Sequence, residues 1–116
     1  MTEFYEQVKE RLMRYARINT ESDPHSTSVP TTSCQHDLAS VIYEELQEIG
    51  ATNVYYDKDT CVVYGSLEAN VKTGRAIGFV THMDTAPDAS GKDVKPWVLE
   101  NYDGNDIILN KETTNW

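Results

Sequence analysis

The hydrophobic pattern is clearest in the first half of the chain, where apolar residues recur at helical spacing in two stretches. The first stretch, residues 2–18, predicts an amphipathic helix with Thr2 as its cap. The second begins near Ser33, where Thr32 and Gln35 could form a capping box, and it ends at Gly50, which allows a left-handed stop. The residues predicted to be buried on this second helix are Leu38, Val41, Ile42, Leu46 and Ile49.

Runs rich in β-formers follow the second helix. Residues 53–57 and 61–67 are separated by three polar residues, 58–60, and predict a hairpin. Residues 76–81 are apolar on both faces, as is typical of a central strand that is covered on both sides. Further short strands are predicted at residues 97–99 and 107–109.

The order of these elements predicts the fold class. Two helices followed by strands favour an α/β fold in which the helices pack on a mixed β-sheet. A length of 116 residues indicates one domain. The stretch 19–33, rich in Ser, Thr and Pro, is expected to be a long loop between the helices.

The net charge of the chain limits the kinds of binding partner that are expected. Ten Lys and Arg against nineteen Asp and Glu give a net charge of −9 and a pI of about 4.6. Such a surface repels phosphate backbones and anionic lipid, so neither nucleic acid nor membrane is expected as a partner. The charged amino terminus resembles neither a signal peptide nor a membrane span, which leaves a cytoplasmic location as the default. Cys34 and Cys61 are expected to be reduced thiols, with a disulfide as the alternative.

The candidate site lies at the end of the predicted central strand, in the sequence AIGFVTHMDTAP. His82 and Asp84 are two residues apart, so in extended chain they share a face, separated by roughly 6.6 Å of rise. A modest bend would bring the carboxylate behind the imidazole. Two interpretations of the pair are then possible: a simple hydrogen-bonded pair, or a zinc ligand with its orienting carboxylate. His25 and His36 are left outside the site.

Other hydrolytic chemistry has little support in the sequence. There is no Gly-x-Ser-x-Gly elbow and no phosphate-binding loop, and the cysteines lack a triad context. Water activated by a metal is the remaining option. That mechanism requires three or more protein ligands per zinc together with a general base, of which this chain shows only the beginning.

At this point the motifs indicate a family. The segments THMDTAPD, SGKDVKP and ENYDGNDIIL closely resemble the amino-terminal part of the peptidase T family, tripeptide aminopeptidases among the co-catalytic zinc exopeptidases. The loop SDPHSTSVPTT extends the resemblance, which covers essentially the whole chain. The HMDT tetrad alone would indicate only the wider zinc exopeptidase family.

The resemblance implies a function and site residues. It implies that His82 is a zinc ligand, that Asp84 is the supporting active-site carboxylate that orients it, and that a complete catalytic site holds two zinc ions. The expected activity is release of the amino-terminal residue from tripeptides, with a small peptide as substrate. The family's other ligands and its general base have no counterpart in this sequence, so residues 1–116 are expected to form an incomplete amino-terminal portion of the catalytic domain, inactive alone.

Two alternative functions remain open. The complete protein could be a related two-zinc carboxypeptidase or deacylase. The chain could instead be a self-standing binding domain without catalytic activity, which would be expected to hide its apolar strand edges. A homo-oligomer is also compatible with the sequence, because open sheet edges promote association.

Overall fold

The computed structural model describes residues 2–72 and 74–108. Its elements are two helices, α1 (Thr2–Tyr15) and α2 (Gln35–Glu48), followed by two strands, β1 (Thr52–Asp57) and β2 (Val62–Ser66). The predicted order of helix, helix and hairpin is therefore confirmed. The fold is α/β in character, with two helices and a two-stranded antiparallel sheet.

Helix α1 is shorter than predicted. It ends at Tyr15 rather than near residue 18, and the chain then tightens into turns in which Arg17 N donates to Arg14 O and Ile18 N donates to Tyr15 O. Hydrogen bonds from an amide to the carbonyl three residues earlier commonly form the last turn of a helix. Most of the apolar face of α1 is exposed, and it comprises Phe4, Tyr5, Val8 and Leu12.

Contacts around one carboxylate join α1 to α2. Glu45 of α2, which is only 12% exposed, accepts hydrogen bonds from Arg14 and from the Tyr15 hydroxyl, and Arg11 Nε lies 3.3 Å from Glu45 Oε2. Desolvation raises the pKa of Tyr15 to about 12, and the hydrogen bond to Glu45 adds to the shift. The helices are thus joined at the carboxyl end of α1.

Helix α2 starts without the capping box that the sequence predicts. Cys34 occupies the cap position in a helical conformation and makes no side-chain cap. Thr32 Oγ1 instead donates to the carbonyl of Glu21, and Gln35 Nε2 donates to Thr31 and Thr32. These side chains satisfy loop groups rather than the free amides of the helix. At the other end Gly50 adopts a φ of 81°, which confirms the predicted left-handed stop.

The hairpin forms as predicted, with small changes in its bounds. Strands β1 and β2 pair antiparallel, with Tyr55 opposite Tyr64 and Asp57 opposite Val62. The register shifts between Thr52 and Tyr55, and Asn53 there has a φ of 50°, as at a β-bulge. A Cβ atom at Gly65 would lie 3.3 Å from Leu46 Cδ1, so the glycine allows close packing of α2 on the sheet.

The core is small and lies around α2. Among the described residues, its buried apolar residues are Leu38 and Ala39 of α2 and Cys61 of the hairpin turn. Of the other α2 residues predicted to be buried, Val41, Ile42 and Leu46 are half-buried and Ile49 is exposed. Burial raises the pKa of the Cys61 thiol, against the effect of its hydrogen bond with Tyr56. Both cysteines are free thiols, as expected.

The predicted central strand is wrong for this chain. Residues 77–80, here called the apolar run, form neither helix nor strand, and Ile77, Phe79 and Val80 are 81%, 93% and 101% exposed. A strand is stable only when its backbone groups pair with a neighbour, and within the described residues none pairs with this run. The sheet is consequently antiparallel with two strands rather than mixed.

The short strands predicted near the end of the chain also do not form. Residues 97–99, 107 and 108 form neither helix nor strand, and they pair with no strand in the described part of the chain. Residue 109 lies outside the described part of the chain. Trp97, Val98 and Leu99 are about half exposed, in keeping with the lack of a paired strand among the described residues.

Candidate metal site

The two predicted site residues lie together. His82 Nδ1 is 3.1 Å from Asp84 Oδ1 and 2.9 Å from the backbone carbonyl oxygen of Asp84. The expected bend of the chain is therefore present just after the apolar run. The predicted contact between imidazole and carboxylate is confirmed, whereas the roles of these residues in a reaction stay predictions.

The geometry selects one form of the imidazole. A carbonyl oxygen and a carboxylate oxygen are both acceptors, so the ring nitrogen between them must carry the hydrogen. In the neutral ring, Nε2 then has a free lone pair. The His82 side chain is 82% exposed, which leaves this lone pair open to solvent. The pair thus presents one ring nitrogen in the form in which histidine binds metals.

A shallow pocket of about 260 Å³ adjoins the pair. Besides His82 and Asp84, it is lined by Gln35 of α2, Cys61 of the hairpin turn and Thr81. The α2 and hairpin elements therefore form one wall of the site. Gln35 is a buried polar side chain whose amide donates to Thr31 and Thr32, and these bonds fix its position in that wall.

The backbone that carries Asp84 is held by a distant segment of the chain. Thr85 forms an isolated parallel bridge with Glu21: Thr85 N donates to Thr20 O over 3.0 Å, and Ser22 N donates to Thr85 O over 2.9 Å. Ser22 Oγ also donates to Thr85 O. Sequence reasoning missed this pairing, because residues 19–33 show only the composition of a loop.

The histidines left outside the site stay outside it. His36 Nδ1 forms a hydrogen bond with the Tyr56 hydroxyl, which links α2 to β1, and His25 lies in the exposed part of the polar loop. The loop residues Asp88, Lys92 and Asp93 are exposed. Across residues 2–72 and 74–108, no group of three His, Cys, Asp or Glu side chains is arranged to hold a metal ion.

The site therefore fits one metal ligand and its orienting partner, but not a complete coordination shell. Zinc sites in proteins generally require three or four protein ligands. His82 and Asp84 satisfy the requirements for a first ligand, because the ring is oriented and Nε2 has no hydrogen-bond partner among the described residues. Further ligands are not found in the part of the chain that the structure describes.

Comparisons with known proteins agree with the resemblance seen in the motifs. The chain is 47% identical over 106 residues to a peptidase T of Alkaliphilus oremlandii, covering 89% of this chain and 26% of that protein. It is 47% identical over 108 residues to a peptidase T of Geobacillus kaustophilus, covering 92% and 26%. A peptidase T of Fusobacterium nucleatum is 42% identical over 109 residues, covering 93% and 26%.

No family model matches the chain. Within the described residues, none of the helices is long and apolar enough to cross a membrane. The chain spans about a quarter of the length of the curated relatives that it matches. Over the stretch that it spans, the chain is similar to the peptidase T family, at 42–47% identity to these relatives.

Proposed function

We propose that the full-length protein is a zinc-dependent aminopeptidase that releases the amino-terminal residue from tripeptides, and that this chain contributes His82 as a zinc ligand and Asp84 as its orienting carboxylate. The observation that carries the proposal is the hydrogen bonding of His82. Nδ1 is held by two oxygens of Asp84 while Nε2 is free, in a stretch about 47% identical to peptidase T. The 116-residue chain alone is expected to be inactive.

Asp84 acts through His82 in this proposal. Its carboxylate and its backbone carbonyl keep the hydrogen on Nδ1, so Nε2 faces outward as a lone pair. A negative charge behind the ring also increases the basicity of the ring as a ligand. When bound, a pair of zinc ions would supply Lewis-acid polarisation of the scissile carbonyl. The part of this chain is to hold the His82 imidazole in the orientation that a zinc ligand needs.

Zinc titration of the full-length protein tests the metal role. In metal-free protein, His82→Ala should lose at least about 100-fold in zinc affinity, and Asp84→Ala about 10- to 100-fold, because the second change only removes orientation. His25→Ala is the matched control, since it removes an exposed imidazole from the polar loop and should leave affinity unchanged. Tight zinc binding by the 116-residue chain alone, or none by the full-length protein, would contradict the proposal.

Substrate profiling tests the reaction. An aminopeptidase of this kind should cleave tripeptides with a free amino terminus and reject the same peptides after acetylation. Cleavage of acetylated peptides from the carboxyl end would indicate a carboxypeptidase, and release of an acyl group would indicate a deacylase. Zinc binding without hydrolysis of any of these substrates would favour a binding protein.

One structural observation disfavours a self-standing binding domain. Such a domain should bury its large apolar side chains, yet those of the apolar run are almost completely exposed and those of residues 97–99 are about half exposed. Contiguous exposed apolar surface is rare on independent soluble domains. The catalytic reading is therefore preferred to the non-enzymatic one.

A further inference from the structure

Residues 20–22, here called the bridge segment, pair with Thr85 and thereby contact the peptide group between Asp84 and Thr85. The carbonyl of Asp84 accepts from His82 Nδ1, and the amide of Thr85, which belongs to the same peptide unit, donates to Thr20 O. Because a peptide unit is planar and rigid, fixing its amide also fixes the direction of its carbonyl. The orientation of His82 thus depends on where the bridge segment lies.

Three groups of Glu21, its backbone carbonyl, its backbone amide and its carboxylate, form hydrogen bonds that hold the bridge segment in place. The Glu21 carbonyl accepts from Thr32 Oγ1 at the approach to α2, and its amide donates to Asn19 Oδ1. Its carboxylate crosses to the loop that follows the site, where Oε2 accepts from Gly91 N over 3.1 Å and lies 3.5 Å from Ser90 Oγ. Thr20 beside it is only 3% exposed, so this end of the segment is packed.

The loop from residue 85 to 91 is therefore closed at both ends on the bridge segment. Thr85 pairs with its backbone, and Gly91 binds the Glu21 side chain. The approach at Gly91 is tight: a Cβ atom there would lie 2.6 Å from Asn19 Oδ1, the oxygen that accepts from Glu21 N. A glycine at this position lets the loop come close enough for the carboxylate of Glu21 to hold it.

We infer that the carboxylate of Glu21 is a positioning group for the proposed zinc ligand: by accepting from Gly91 N it closes the 85–91 loop on the bridge segment, and so helps to hold the Asp84–Thr85 peptide in the orientation that keeps the hydrogen of His82 on Nδ1. This rests on the proposed function only for the identity of the metal. The hydrogen bonds themselves require no metal. Free imidazole side chains favour the hydrogen on Nε2, so loss of the anchor should shift His82 toward that form, which blocks the metal-binding nitrogen.

Nitrogen NMR of His82 in the metal-free, full-length protein tests the inference directly. Spectra are recorded at alkaline pH, because the ¹⁵N shifts of the two ring nitrogens distinguish the two tautomers of a neutral imidazole. The unchanged protein should show mainly the form with hydrogen on Nδ1, and Glu21→Ala should show a mixture. Glu21→Gln keeps an oxygen that can accept from Gly91 N and should restore the original form.

Zinc affinity provides the second readout. Glu21→Ala should weaken zinc binding by about 10-fold, the lower end of the effect of residues that orient a ligand. Gly91→Ala should act in the same direction, because it displaces Asn19 from Glu21 while leaving the carboxylate in place. Glu44→Ala is the matched control: it removes an exposed glutamate from α2, outside this network, and should change neither readout.

The outcomes separate this inference from the proposed function. If folded Glu21→Ala protein shows the same His82 tautomer as the unchanged protein, the inference is wrong, whatever its melting temperature. If the tautomer shifts as expected but the protein binds no zinc and cleaves no peptide, the positioning role stands and the proposed function fails. Failure of Glu21→Gln to restore the tautomer would also overturn the inference.

Discussion

Two regions of similar apolar character have opposite fates in this chain. The α2–hairpin unit, residues 35–66, buries Leu38, Ala39 and Cys61, whereas the apolar run, residues 77–80, is almost completely exposed. In the first region each element finds its partner nearby, since a short link joins α2 to β1 and a tight turn joins β1 to β2. Short loops cost little entropy to close. Hydrophobicity alone therefore does not bury a segment, because the segment also needs a partner within reach.

The largest expected difference between the regions is in stability. Leu38→Ala should lower the free energy of unfolding by about 2–3 kcal/mol, because it removes a buried side chain from the packed face of α2. Phe79→Ala is the control, and it should change stability by less than about 0.5 kcal/mol, since Phe79 is exposed. Urea unfolding followed by circular dichroism measures both. Equal losses would mean that the apolar run is packed after all.

Hydrogen exchange should show the same contrast along the backbone. Amides of β2 that pair with β1 should exchange on the order of 100-fold more slowly than amides of residues 77–80, which have no paired strand. Exchange measured by NMR on the 116-residue chain resolves both sets. Comparable protection of the two sets of amides would show that residues 77–80 are not less structured than β2.

A smaller loss of stability is expected from removing the hydrogen bond between His36 of α2 and Tyr56 of the hairpin. Tyr56→Phe removes the hydroxyl that contacts His36 and should cost about 1 kcal/mol in thermal or urea unfolding. Tyr64→Phe on β2 is the matched control, because Tyr64 is exposed and its ring stacks on Tyr55 without needing the hydroxyl. If both variants cost the same, the Tyr56 hydroxyl contributes nothing specific.

The smallest expected effect is a dependence on alkaline pH at the contact between α1 and α2. The pKa of Tyr15 is raised to about 12, first by desolvation and then by its bond to Glu45, so the folded state favours the protonated phenol. This contribution is complete below the ordinary value of 10 and is lost as pH rises through 12. Water screens the half-exposed group, which keeps the effect small.

Melting temperatures between about pH 9 and pH 11.5 measure this dependence. Tyr15→Phe should flatten that part of the profile, because it removes the ionising group. A profile that is unchanged by Tyr15→Phe would show that other groups cause the alkaline loss.

Much of the α2–hairpin unit could be predicted because its determinants are local. Helical spacing, Gly50 and the three-residue polar break at 58–60 each act over a few residues, and each corresponds to an observed feature. The capping box failed for the opposite reason. Thr32 has the right spacing, but its hydroxyl donates to Glu21 O, a group eleven residues away that no local pattern reveals.

In the candidate site, too, the local contact could be predicted from the sequence and the long-range contact could not. The spacing of His82 and Asp84 was sufficient to predict their contact, because only one bend separates them. The bridge that holds Thr85 joins residues that are 64 positions apart, and residues 19–33 show only the composition of a loop.

The sequence by itself determined the helices, the hairpin, the pairing of His82 with Asp84 and the resemblance to peptidase T. Each of these depends on residues close together in the chain or on a motif read directly from it. Only the tertiary structure decided that residues 77–80 stay unpaired and that Glu21 holds the loop behind the site. Those outcomes depend on which distant backbone and side-chain groups are available to pair, and that availability is a property of the folded chain.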